Sequence, residues 1–131
     1  MLATQDVRRI ASARLRDAEV LLAAKRYDGA VYLCGYAVEL ALKARICKTL
    51  KWPGYPETNK EFEPLKSFKV HDLDVLLRLT GRESVVKASY FVEWSAIAAW
   101  NPEARYKPIG SANAGDAKLM LESAALLLKN L

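Results

Sequence analysis

The stretch GAVYLCGYAVELALKA, residues 29–44, constrains this chain more than any other. It is apolar on nearly every side of a helix until Glu39, with Lys43 one turn further on. A helix that is hydrophobic all round has to be enclosed by other elements, so the chain is predicted to build a helical bundle around this one. The uninterrupted apolar run, Ala30–Val38, is only half of the roughly 18 residues that a membrane span needs. Asp28 is the expected N-cap of this helix, which should extend to about Leu50. Gly35 sits in its interior, where glycine costs about 1 kcal/mol against alanine. Its presence there predicts that another helix approaches closely.

The flanking segments supply the partners. A first helix is expected from Thr4, a good N-cap, to about Lys25. Val7, Ala11, Leu15, Ala18 and Leu22 form its inner stripe, with Ile10 and Leu21 beside them. Lys51–Val70 holds three of the five prolines and keeps neither the strand nor the helix period. It is long for a connection, and such loops are often functional or mobile. A third helix is predicted from His71 to Thr80, with Leu73, Leu76 and Leu77 inward and Gly81 as its stop. A fourth should run from about Ser84 to Trp100. It has two apolar stripes, one of Val85, Ala88, Val92, Ala96 and Ala99 and one of Tyr90, Trp94 and Ile97, which suggests contact beyond its own bundle. A fifth, from Asp116 to about Asn130, repeats Ala117, Met120, Leu121, Ala124, Leu127 and Leu128 in register. No β-type alternation, internal repeat or interdomain linker is seen. The expectation is an all-α, up-and-down bundle of about five helices, with residues 1–131 as a single domain.

The net charge of +5 is unevenly placed: residues 1–51 hold 10 Lys/Arg against 5 Asp/Glu, and residues 52–131 hold 10 against 10. A one-sided basic surface attracts nucleic acid or another polyanion, although Arg45, Lys48 and Lys51 also complement the dipole at a helix end. The N-terminal stretch has arginines but no apolar segment behind them, unlike a secretory signal. Cys34 and Cys47 are 13 positions apart on one helix, about 20 Å and far beyond disulfide reach. They read as buried thiols in a reducing compartment, so a cytoplasmic location is expected.

Few residues offer chemistry. Glu39 and Lys43 meet on one helical face with the acid N-terminal, either as an ion pair that fixes a helix crossing or as groups facing a ligand. His71, the only histidine, stands next to Asp72 at a helix start. A histidine beside a carboxylate serves as a general base or simply bonds the adjacent backbone. One imidazole and two distant cysteines rule out the usual zinc sets, and no cofactor motif is present. In the loop AAWNPEARYKP, Arg105 beside Tyr106 and near Trp100 has the means to clamp a phosphate and stack a base. The same residues also suit an Arg–carboxylate pair that holds the loop down.

Four patterns in order carry a family resemblance: RLRDAEVLLAAKRYDGAVYLCGYAVELALKA, HDLDVLL, PEARYKP and DAKLMLESAALLL. Together they make the chain similar to the HEPN domains (higher eukaryotes and prokaryotes nucleotide-binding) in their stand-alone prokaryotic form. The resemblance implies a short helical bundle that commonly forms homodimers and associates with small nucleotidyltransferases. Many members are metal-independent ribonucleases, including toxins of toxin–antitoxin pairs; others are inactive binding modules. The family's ribonuclease signature is Arg-x4–6-His. Here the permitted positions before His71 hold Lys66, Leu65 and Pro64, and a lysine lacks the fork that orients a phosphodiester.

The family layout further implies that Glu39, Lys43, His71, Asp72, Arg105 and Tyr106 gather in one polar patch. Three functions are then open. The leading one is a non-catalytic or weakly active module binding itself, a nucleotidyltransferase and a nucleotide or RNA. The second is an endoribonuclease using His71 and Arg105, and the third is a purely structural dimer.

Overall fold

The computed structural model describes all 131 residues. α1, Thr4–Ala23, and α2, Tyr27–Leu50, form an antiparallel helical hairpin. Val7, Ala11 and Ala18 of α1 are buried against α2, whose Val38, Leu42 and Ile46 are fully enclosed. Both helices end the same way, with a lysine in the left-handed region, Lys25 at φ 61° and Lys51 at φ 57°. In each case the next residue donates back along the last turn: Arg26 N–H to Leu21 O at 2.8 Å and Trp52 N–H to Cys47 O at 2.8 Å. This is the Schellman closure, made here without its usual glycine.

Two expected caps have other roles. Ala3, not Thr4, precedes α1 without a side-chain cap. The Thr4 hydroxyl instead donates to Pro53 O at 3.3 Å, holding the N-terminus against the segment after α2. A short antiparallel strand pair, β1 Leu2–Ala3 with β2 Gly54–Tyr55, forms beside it. Sequence periodicity gave no sign of it, because two-residue strands have no period. Asp28 lies inside the first turn of α2, and its carboxylate accepts from Gly110 N–H at 2.7 Å and Ala112 N–H at 2.9 Å.

The segment expected to be an open loop is tied down. It contains a one-turn helix α3, Asn59–Phe62, capped by Thr58, and a 3₁₀ stretch over Glu63–Phe68. Trp52 meets Phe68 edge-on at 4.8 Å, and the Tyr55 hydroxyl donates to Phe68 O at 2.6 Å. Aromatic packing thus replaces regular secondary structure as what holds this region.

α4, Leu73–Leu79, is capped by Asp72, whose side chain accepts from Val75 N–H at 3.0 Å, and it buries Leu73, Leu76 and Leu77. The long fourth helix expected from the sequence is broken in two: α5, Glu83–Ser89, and α6, Phe91–Ile97. The break falls at Tyr90, φ −132° and ψ 38°. Ser, Tyr, Phe and Val in succession are weak helix formers, so little opposes a break there. Its consequence is a change of inward face. Val86 is buried in α5 and Trp94 and Ile97 in α6, whereas Val85, Phe91 and Val92 are exposed. Of the two stripes read from the sequence, only Tyr90–Trp94–Ile97 serves the core. α7, Ala114–Asn130, starts at Asn113, whose side chain accepts from Asp116 N–H at 2.8 Å, and packs Met120, Ala124 and Leu127 against α2 and α6. The chain is therefore all-α apart from the strand pair, but it has seven α-helices rather than about five, three of them spanning what was expected as one rod and one loop.

Gly35 admits the indole of Trp100 rather than a helix backbone: a Cβ built there would lie 2.2 Å from the ring. The bulk that the glycine makes room for is a single side chain from the end of the α6 segment. No helix is long and apolar enough to cross a membrane.

Candidate functional site

Four positions on α2, Tyr32, Tyr36, Glu39 and Lys43, recur every three to four residues and so project on one side of the helix. Glu39 is buried, 2 % exposed, in the middle of the apolar run. A charge so placed has to be paired, and it is paired twice. Its Oε2 accepts from Lys43 Nζ at 2.8 Å and meets His71 Nδ1 at 2.9 Å. The i,i+4 pair on α2 is thereby joined to the residue just ahead of α4.

An ionised carboxylate only accepts, so in this contact Nδ1 is the donor and the neutral imidazole leaves Nε2 unprotonated. Nε2 has no hydrogen-bond partner within the chain, and the side chain is 63 % exposed. A buried acid thus fixes the tautomer and orientation of an accessible histidine, which is the arrangement a general base requires. Lys43 faces a different way, its Nζ lying 5.4 Å from the Tyr55 ring centroid, in a second cleft of ≈ 310 Å³.

His71 and Glu39 open onto a cleft of ≈ 500 Å³ together with Tyr32, Tyr36, Asn101 and Arg105. Arg105 belongs to a 3₁₀ turn, Pro102–Tyr106, which Asn101 caps by accepting from Glu103 N–H at 2.9 Å. The turn places the guanidinium at the mouth, where Nη1 donates to Pro102 O at 3.2 Å. The Tyr106 and then the Tyr32 hydroxyl hold the Arg105 guanidinium above its ordinary pKa. Burial, followed by the Glu39 charge, pushes the Tyr36 phenol upward.

Besides Lys43, which lines the second cleft, two more expected members of the patch are elsewhere. Asp72 is the α4 cap and does not line the cleft. Tyr106 is 71 % exposed, outside the cleft, with the Arg105 guanidinium 4.7 Å from its ring centroid. Tyr32, Tyr36 and Asn101 were missed. The two tyrosines were detectable as the continuation of the Glu39–Lys43 spacing, but Asn101 had no sequence signal. Trp100, named with Arg105 and Tyr106 from the loop pattern, is buried on Gly35. No three His, Cys, Asp or Glu side chains come together as a metal ligand set. Both cysteines are buried and free, and burial pushes the Cys34 thiol up to about 12.

Fold and site together define an all-helical protein whose central helix carries a buried acid linked to an accessible histidine. The family model of the HEPN domain matches residues 4–60, and this part of the chain is similar to that family. The match takes in Glu39 and Lys43 and ends before His71 and Arg105. No curated protein and no solved structure matches the chain.

Proposed function

We propose that residues 1–131 form one HEPN-type binding module, whose cleft between α2, His71 and the Pro102–Tyr106 turn holds RNA or a nucleotide. The observation that carries this reading is the presence of Arg105, His71 and two tyrosine rings around one open cleft. A guanidinium fork suits a phosphate, aromatic rings suit a base, and both are needed for a nucleotide. The module is read as an up-and-down bundle that pairs with a second copy and with a nucleotidyltransferase-type protein in the cytoplasm. The exposed apolar side chains Val85, Phe91 and Val92 support an association surface. Labelled single-stranded RNA titrated with Arg105→Ala should bind about tenfold more weakly than with the wild type, the size of a lost charge-assisted hydrogen bond. Equal affinity in a folded variant overturns the assignment.

The Glu39–His71 contact favours a second reading, a metal-independent endoribonuclease. His71 Nε2 takes the proton of a ribose 2′-hydroxyl, the 2′-oxygen attacks phosphorus as the bond to the 5′-oxygen breaks, and the imidazolium returns that proton to the departing 5′-oxygen while Arg105 faces the developing charge. Purified protein with chelator is then expected to cut RNA, with cleavage lost in both His71→Ala and Arg105→Ala. Intact RNA after incubation with the wild type eliminates this reading and leaves the binding one.

A further inference from the structure

His71 borders two clefts. Besides the one it shares with Arg105, it lines the cleft of ≈ 310 Å³ formed by α1, α2 and residues 55–71. Aromatic rings wall this second cleft: Tyr55 and Phe62 meet edge-on, with centroids 6.2 Å apart and planes at 65°. Tyr55 is buried and anchored by its hydroxyl on Phe68 O, whereas Phe62 is only half-buried. An ammonium stands near each ring. Lys43 Nζ lies 5.4 Å from the Tyr55 centroid and Lys69 Nζ 5.9 Å from that of Phe62. Both lysines line the cleft.

Each lysine is positioned without being satisfied. Lys43 Nζ donates to Glu39 Oε2 at 2.8 Å, and Lys69 Nζ donates to Asn59 Oδ1 at 2.7 Å. An ammonium has three N–H donors, so two remain on each, with no further acceptor in the chain. Lys69 forms no ion pair. Glu57 is the one carboxylate that lines the cleft, and it is exposed to the screening of water. The same two chemistries, a cation and an aromatic ring, therefore occur in both clefts that His71 borders. One holds Arg105 with Tyr32 and Tyr36; the other holds Lys43 and Lys69 with Tyr55 and Phe62.

We infer that the second cleft is a subsite for a neighbouring nucleotide, so that the ligand is single-stranded RNA lying across His71 and not a lone nucleotide. This rests on the reading of the Arg105 cleft as the holder of one nucleotide. A nucleic acid strand repeats a phosphate and a base at every step, so it is the ligand class that uses the same chemistry twice. The exposed part of the Phe62 ring takes a base, and the unspent N–H groups of Lys69 and Lys43 serve phosphate oxygens. A volume of ≈ 310 Å³ is at the small end of ligand sites, which run from about 300 to 1,000 Å³, and suits one unit of a strand. Bases already paired in a duplex are not free to stack on a side chain, which leaves a single strand. An acidic peptide would answer the lysines but gives the Phe62 ring nothing to stack on.

The test titrates two probes whose 2′-hydroxyls are methylated, so that no cleavage intervenes: a nucleoside 5′-monophosphate and a tetranucleotide of the same base. Wild type should bind the tetranucleotide about tenfold more tightly, the size of one added stacked base. Lys69→Ala and Phe62→Leu should each remove that gain and leave the mononucleotide affinity unchanged. Phe62→Leu keeps an apolar side chain in the wall while removing the flat ring; Lys43 is left alone because it also partners Glu39. Lys60→Ala removes an exposed cation on α3 outside the cleft and should keep the gain, which separates a subsite from general attraction of a polyanion. Arg105→Ala should weaken both probes, reporting on the first cleft. Equal affinity of the two probes for the wild type overturns the inference and leaves the reading of the Arg105 cleft standing. A gain that survives in both folded variants, or that Lys60→Ala abolishes as fully as Lys69→Ala, overturns it too. Binding of neither probe overturns both. Displacement of the tetranucleotide by an equal concentration of tetraglutamate assigns the second cleft to an acidic peptide and overturns the RNA assignment.

Discussion

Gly35 and Trp100 show how one missing side chain sets the sign of a substitution. In an open helix, Gly→Ala gains about 1 kcal/mol. At Gly35 the new methyl would meet the indole at 2.2 Å, and overpacking of this kind costs about 1–3 kcal/mol. Gly35→Ala is therefore expected to lower stability by about 1–2 kcal/mol in urea unfolding. A stabilised variant would show that the indole yields freely and that the glycine has another purpose. Glu39 carries the complementary lesson. Its burial is tolerable because Lys43 and His71 share one of its oxygens, and net stability is seldom the reason such a buried ion pair exists. What the arrangement secures is the orientation of an exposed imidazole.

Among the elements, the loop between α6 and α7 depends on a residue far away in sequence. Asp28 accepts from two of its backbone N–H groups, and these donors, Gly110 first and then Ala112, hold the Asp28 carboxyl below its ordinary pKa. A depressed folded value means that the contribution is fully present above the unfolded value and is lost as pH falls through the folded one. The amide resonances of Gly110 and Ala112 are expected to shift together on acidification, with a midpoint below that of an ordinary aspartate, and to stay still in Asp28→Asn. A midpoint at or above the ordinary value would uncouple the loop from Asp28. The break at Tyr90 matters in a similar way, because it lets α5 bury Val86 while α6 turns Trp94 and Ile97 inward and leaves Phe91 and Val92 on the surface.

For the molecule as a whole, those two exposed side chains bear on assembly. Phe91 is 66 % and Val92 68 % exposed, more apolar surface at one point than scattered single residues give. Changing both to Ser is expected to leave the melting temperature within a few degrees and to lower the mass seen by sedimentation equilibrium. An unchanged mass would place any self-association on another face.

The apolar run of α2 by itself determined that the chain would be helical and built around that segment, since a helix with no polar face has to be enclosed. The amphipathic stripes of α1 and α7 and the leucines of α4 were likewise legible, because burial on one face imposes a period that sequence displays directly. The Glu39–Lys43 pair could be read for the same reason: four residues is one helical turn. Tertiary structure alone decided that His71, 32 positions away, would be the second partner of Glu39, and that Asp72 would cap a helix instead of joining the site. It alone decided that Asp28 would hold a loop more than 80 positions on, and that Trp100 would fill the space left by Gly35. Such pairings are chosen by which surfaces meet when helices dock, and that choice leaves no period in the chain.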